Sequence, residues 1–109
     1  MKTLRLAVAL VVLLATVSVY AGDQGVVTFA GGDGSTMDKA VIEQGVTTDE
    51  AATSAEYVYL ARNFHQYHLN LQSLLNHGNK VYDLLEITDA SGVKRKVYFD
   101  ITATFGKFQ

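Results

Sequence analysis

Imidazoles and carboxylates are the side chains of this sequence best suited to chemistry. The chain has 3 histidines. His65 and His68 flank Gln66-Tyr67, and His77 sits in the segment Asn76-His77-Gly78-Asn79. A metal ion wants His side chains at a fixed facing geometry, either one helical turn apart or at alternate strand positions. His65 and His68 straddle a change of secondary structure, so no such geometry is implied. His65 instead belongs at a helix C-terminus, where a cation is favoured, and His77 belongs in a solvated turn. No metal site is expected.

Among the carboxylates, Asp83 and Asp100 fall on strands that the pattern makes neighbours, with Glu86 further along. Facing each other, Asp83 and Asp100 would push one pKa upward and offer acid–base chemistry. No nucleophile or cofactor motif accompanies them, so the chain is expected to be a non-enzyme, with a hydrolase the reading such a pair would revive. Gly31-Gly32-Asp33-Gly34-Ser35 has the composition of a phosphate cradle but lacks the Gly-Lys-Ser/Thr ending. It offers only Asp33 and Asp38 to calcium, and Ser35 lies outside a G-x-S-x-G elbow. The loop reads as a turn in which Asp33 caps its own backbone. Catalytic residues and cofactors are therefore not assigned.

A binding surface is the better expectation. His68, Asn70 and Gln72 alternate with Tyr67, Leu69 and Leu71, and Tyr98, Asp100, Thr102 and Thr104 alternate with Val97, Phe99, Ile101 and Ala103. Brought together on one sheet face, His68, Asn70, Gln72, Tyr98, Asp100 and Thr102 would make an aromatic and amide-rich surface suited to a protein or peptide. Lys94-Arg95-Lys96 is too short for a nucleic-acid or membrane patch, and reads as a charged edge that resists unwanted pairing.

The elements that must position these groups follow from periodicity and turn residues. Residues 26–30 and 39–44 read as short strands separated by the glycine loop. Thr47 with Glu50 forms a capping box for a helix over residues 48–64. Its wheel carries apolar groups on two sides and a narrow polar wedge of Asp49, Glu56 and Asn63, which predicts a helix covered over most of its surface. Three strands follow, with turns at Asn76-His77-Gly78-Asn79 and Asp89-Ala90-Ser91-Gly92. The fold class is α+β. One helix should pack on a curled antiparallel sheet of four to five strands in β-α-β-β-β order, with room for an extra N-terminal strand.

The N-terminus has a different character. Met1-Lys2-Thr3-Leu4-Arg5 is basic, residues 6–15 are apolar, and small residues precede a cleavage point between Ala21 and Gly22. Residues 1–21 read as a signal peptide, and residues 22–109 as a single small domain whose 22–38 segment is the least regular. Lys2 and Arg5 leave with the leader, which takes the basic count from 9 to 7 against 11 acidic residues. An acidic domain of that kind is a poor nucleic-acid partner, and no later stretch reaches the roughly 18 apolar residues of a membrane span. The chain contains no cysteine or proline. Disulfides are thereby excluded, and stability must come from packing. A periplasmic or secreted location in a bacterium is expected.

Gly32-Asp33-Gly34-Ser35, Ala40-Val41-Ile42, Ala55-Glu56-Tyr57, Ser73-Leu74-Leu75-Asn76-His77, Tyr82-Asp83-Leu84-Leu85-Glu86-Ile87 and Tyr98-Phe99-Asp100-Ile101 resemble segments of a family of small exported bacterial proteins of unknown function. The resemblance spans residues 33–105 and implies one compact envelope domain with no catalytic assignment. In that family a Pro-Gly pair stands where this chain has His65-Gln66. The helix-and-sheet order is also similar in outline to cystatins, whose Q-x-V-x-G motif is not present. Together these readings lead to a non-enzymatic binding or interaction protein whose partner is another envelope protein or a peptide. The alternative is an inhibitor of an extracytoplasmic hydrolase, presenting the 31–35 loop or the 76–79 turn.

Overall fold

The computed structural model describes residues 19–22 and 25–108, so most of the expected leader lies outside the described residues. The elements are β1 (Val19–Gly22), β2 (Gly25–Gly31), β3 (Val41–Gln44), α1 (Asp49–Asn63), β4 (His68–His77), β5 (Lys80–Thr88) and β6 (Lys94–Asp100). They form the expected α+β arrangement, with one helix against one face of a single sheet in the order β1-β2-β3-β6-β5-β4. The sheet is not wholly antiparallel, because β3 and β6 run parallel where Val41 meets Phe99. Helix α1 carries the chain across the sheet before the β4–β5–β6 meander begins, so β6 arrives beside β3 pointing the same way. The extra N-terminal strand is β1. Its register places Ala21 opposite Val26 and Gly22 opposite Gly25, so the expected cleavage point lies inside a paired strand.

Side chains from four strands and the helix make the core: Val27, Phe29, Val41, Leu85, Ile87, Val97 and Phe99 beneath Ala55 and Leu60. Burying each large member contributes roughly 1.5–3 kcal/mol. Tyr59 is wedged edge-on between the rings of Phe29 and Phe99, at centroid distances of 5.3 and 5.5 Å. Its hydroxyl donates to the Asp33 carbonyl at 3.3 Å, which ties the helix to the glycine loop.

The helix starts one residue later than its capping box implied. Thr48 is the cap, and its Oγ1 accepts the Ala51 N–H at 3.0 Å. Asp49 and Glu50 occupy the first turn and Arg62 the last, as the helix dipole favours. The expected broad coverage is corrected to a stripe, since only Ala55, Glu56 and Leu60 are buried. A helix lying as the outer layer on a sheet needs to hide only one side. After Phe64 the chain turns through Gln66, which holds φ of 57° in the left-handed region.

The glycine loop is part of the sheet's architecture. Asp33 Oδ1 accepts the backbone N–H and the hydroxyl of Ser35, at 3.0 and 2.7 Å. These bonds hold the Asp33 carboxyl below its ordinary pKa. Gly34 is buried, with φ of 82°, and its carbonyl accepts the Tyr98 N–H at 2.7 Å. A Cβ at Gly34 would stand 2.9 Å from Val97 Cγ1 and 3.1 Å from Val41 Cγ2. Gly34 thus closes the junction between β3 and β6 from above. Gly34→Ala is expected to lower stability by about 2–3 kcal/mol, from left-handed strain plus overpacking. Gly78→Ala, with φ of 63° and nothing within 4 Å of the added Cβ, should lose only about 1 kcal/mol. Urea unfolding distinguishes them, and equal losses would show that the contact with Val97 and Val41 carries no weight.

Candidate functional site

Strand β4 does not keep the alternation its sequence displays. Its register on β5 shifts between Leu69 and Leu71, leaving Asn70 as the extra residue of a bulge. The shift reverses which side chains face α1. Gln72 and Leu74 pair with Leu85 and Asp83 on the helix-covered face, while Leu71, Ser73 and Leu75 pair with Glu86, Leu84 and Tyr82 on the other.

The six residues expected to share one polar face are therefore divided. His68 and Tyr98 stand on the face away from the helix, opposite Thr88 and Leu84 respectively. Asn70 donates to Thr88 Oγ1 at 2.8 Å. Asp100 lies opposite Tyr82 on that same outer face, 3.7 Å from Lys80 Nζ. Thr102 is past the end of β6, where its hydroxyl accepts the Val81 N–H at 2.9 Å. Gln72 has gone to the helix side. The facing of Asp83 and Asp100 is likewise corrected: adjacent residues of a ladder alternate in direction, and Asp83 pairs with Phe99 rather than Asp100. His65, His68 and His77 are exposed, and among the described residues no group of three or more metal-ligating side chains is arranged to hold a metal ion.

A different set of polar groups does converge. Asp83 on β5 reaches the space under α1, where Gln72 Nε2 donates to its Oδ2 at 2.8 Å. Gln72 Oε1 accepts the Tyr57 hydroxyl at 3.1 Å, which fixes the amide's orientation. From the helix, Glu56 descends to hydrogen-bond Asp83. Glu56 is only 3% exposed, and its Oε1 has no partner. Glu43 on β3 is 8% exposed with both carboxyl oxygens unpartnered. Three carboxyl groups from β3, α1 and β5 thus share one interior.

Their electrostatics follow from burial. Loss of water is the main cause that pushes Glu56 up to about 10, followed by its hydrogen bond to Asp83 and the charges of Asp83 and Glu43. Glu43 is pushed up to about 8, again chiefly by burial and then by Asp83. Both hold their protons at neutral pH, and the neutral Glu56 carboxyl donates its O–H to Asp83.

Above this cluster the surface is open. A pocket of about 400 Å³ has Glu56 and Asp83 at its floor, Ala52 and Thr53 on the helix side, and Gln72 and Leu74 on the strand side. Its remaining wall is Ile101, Thr104 and Phe105. That wall exists because β6 stops at Asp100, whose Oδ1 accepts the Thr102 N–H at 3.0 Å. The Ile101 carbonyl then accepts the N–H groups of Thr104 and Phe105, curling the chain over the end of β5. Leu74 and Phe105 remain 50% exposed at the rim.

Sequence reasoning missed Glu56 and Glu43, although a signal existed for each. Glu56 lies one helical turn from both Ala52 and Leu60, hence on the stripe that packs. Glu43 alternates with Val41 and so shares its inward face. Comparison with family models, with curated proteins and with solved structures finds no match for the chain.

The raised carboxyls make stability depend on pH in a stated direction. Each carboxyl binds its proton more tightly in the folded chain than at the ordinary value of 4.5. Their contribution is complete below that value and is lost as pH rises toward 8 and 10. Stability and Tm therefore fall steadily as pH rises from 5 to 8, by about 1.4 kcal/mol per pH unit for each carboxyl that stays protonated in the folded chain. Calorimetry should find the slope reduced in Glu43→Gln and in Glu56→Gln. A flat profile in the unaltered chain would contradict the burial of these acids.

Proposed function

We propose that the chain is an exported, non-enzymatic binding protein, working in the periplasm or outside the cell. Its partner, a protein or peptide of the envelope, engages the pocket between α1, β4–β5 and the C-terminal turn. The observation that carries this reading is the unpartnered Glu56 oxygen beneath an open pocket with an apolar rim. A buried polar atom without a hydrogen bond costs about 1–3 kcal/mol, and a ligand that satisfies it recovers part of that. Leu74 and Phe105 supply the apolar contact that gives a small interface its affinity.

Export rests on the basic and apolar leader of residues 1–21 with its small residues before Gly22. Among the described residues, no helix is long and apolar enough to cross a membrane. A role in inhibiting an extracytoplasmic hydrolase is less well supported. The 31–35 loop it would present is anchored at the buried Gly34, leaving only the hairpin end at Gly78-Asn79 to project.

Pull-down from an envelope extract with mass spectrometry tests the reading. Leu74→Asp is expected to lose the captured partner and Tyr98→Ala to keep it, and the reverse result would move binding to the outer sheet face. N-terminal sequencing of the exported protein should begin at Gly22, and a chain retaining Met1 in the envelope fraction would overturn cleavage.

A further inference from the structure

We infer that the pocket receives an alkylammonium group: a primary ammonium on an unbranched apolar stem, as a lysine side chain or a free alkyl amine presents it. This rests on the pocket being the binding element. The floor asks for hydrogen-bond donors carrying positive charge. Glu56, 97% removed from solvent, lines the pocket and carries an unpartnered carboxyl oxygen, and Asp83 lines the pocket beside it. Among the described residues the lining contains no Lys, Arg or His, so an anion finds no counter-charge from them. An ammonium brings three donors and no acceptor.

Shape separates this cation from others. A guanidinium prefers a planar pair of free carboxylate oxygens. Here Asp83 Oδ2 is already engaged by Gln72, and Glu56 has one oxygen bonded to Asp83. Single oxygens on separate carboxyls suit a compact charge with rotatable donors. A hard metal ion wants a shell of oxygens, whereas the walls above the floor are Leu74, Ile101 and Phe105. Those walls fit a hydrocarbon stem, and Phe105 adds an aromatic ring of the kind that attracts a cation. A volume of about 400 Å³ is ample for a five-carbon amine.

Entry of the ammonium changes the proton balance. Neutral Glu56 gives its proton to solvent, its carboxylate pairs with the ammonium, and the ammonium replaces that proton as the donor facing Asp83. Among the described residues, the other charged or titratable groups facing this exchange are Glu43 from β3 and Asp49 at the pocket's helix edge, both acidic. Binding therefore releases protons and tightens as pH rises while the amine stays charged.

The test is calorimetric titration of the full domain with n-pentylammonium, with a Gly-Lys-Gly peptide blocked at both ends, and with neutral n-pentanol. At least one cation is expected to bind, and with one proton released it binds about a hundredfold more tightly at pH 8.5 than at pH 6.5, with n-pentanol much weaker. Binding of the peptide alone identifies a lysine side chain as the source, and binding of n-pentylammonium alone identifies a free amine. Glu56→Gln should weaken binding at least about tenfold, and the exposed-rim variant Phe105→Ala severalfold, each with Tm recorded to show that it is folded. Failure of both cations, or n-pentanol binding as well as they do, overturns the inference. If both cations fail while Leu74→Asp still abolishes partner capture, the ligand class falls and the binding role stands. If Leu74→Asp leaves capture intact, the binding role itself falls.

Discussion

A carboxyl group taken out of water must find a partner or keep its proton, and beneath helix α1 the buried Glu43 and Glu56 meet the half-buried Asp83. Ionising Glu43 or Glu56 in place would bury charge beside Asp83, with no cation among the described residues of the pocket lining to offset it. The fold meets the constraint by leaving both glutamates neutral and letting one hydrogen-bond Asp83. Much of the architecture serves that arrangement. The helix stripe delivers Glu56, the alternation of β3 delivers Glu43, and Gln72 fixes the free side of Asp83.

Two local irregularities turn this cluster from a buried defect into the floor of an opening. The bulge at Asn70 rotates Gln72 and Leu74 toward the helix, and the turn after Asp100 raises Ile101 and Phe105 as a wall. Without the bulge, the outer face would gain an amide and the inner face would lose the group that orients Asp83. Without the turn, β6 would continue straight and the carboxyls would lie open at a sheet end. Irregular backbone is where regular elements are re-aimed, and here both instances aim at one place.

Much of the fold was legible because its signals are local. The limits of β5, the turn at Asp89 and the helix emerge from patterns a few residues wide. The parallel contact of β3 with β6 was not legible, since it depends on how the chain crosses the sheet and not on any neighbouring residues. The site was read less well, and for a definite reason. Strict alternation places Gln72 with His68 and Asn70, and a single extra residue cancels that inference for everything after it. Glu56 was assigned to a polar wedge because charge outweighed spacing, although its one-turn relation to Leu60 pointed inward. The pocket wall lay in residues whose alternation reads as strand but whose Asp100 and Thr102 bond locally instead.

The seam between β3 and β6 bears on the order in which the molecule assembles. The sheet consists of two blocks, β1–β2–β3 and β4–β5–β6, each made of strands adjacent along the chain. Hairpins of that kind close over short loops within microseconds. The seam instead brings Val41 to Phe99 and Gly34 to Tyr98, and must first meet the entropy of closing a long loop. Docking of the two blocks is thus the natural late event. Asp83, Gln72 and the curled C-terminus all belong to the second block and are in place beforehand. Glu43 arrives with β3 at the end, so the last acid to enter the interior is carried there by the step that completes the sheet.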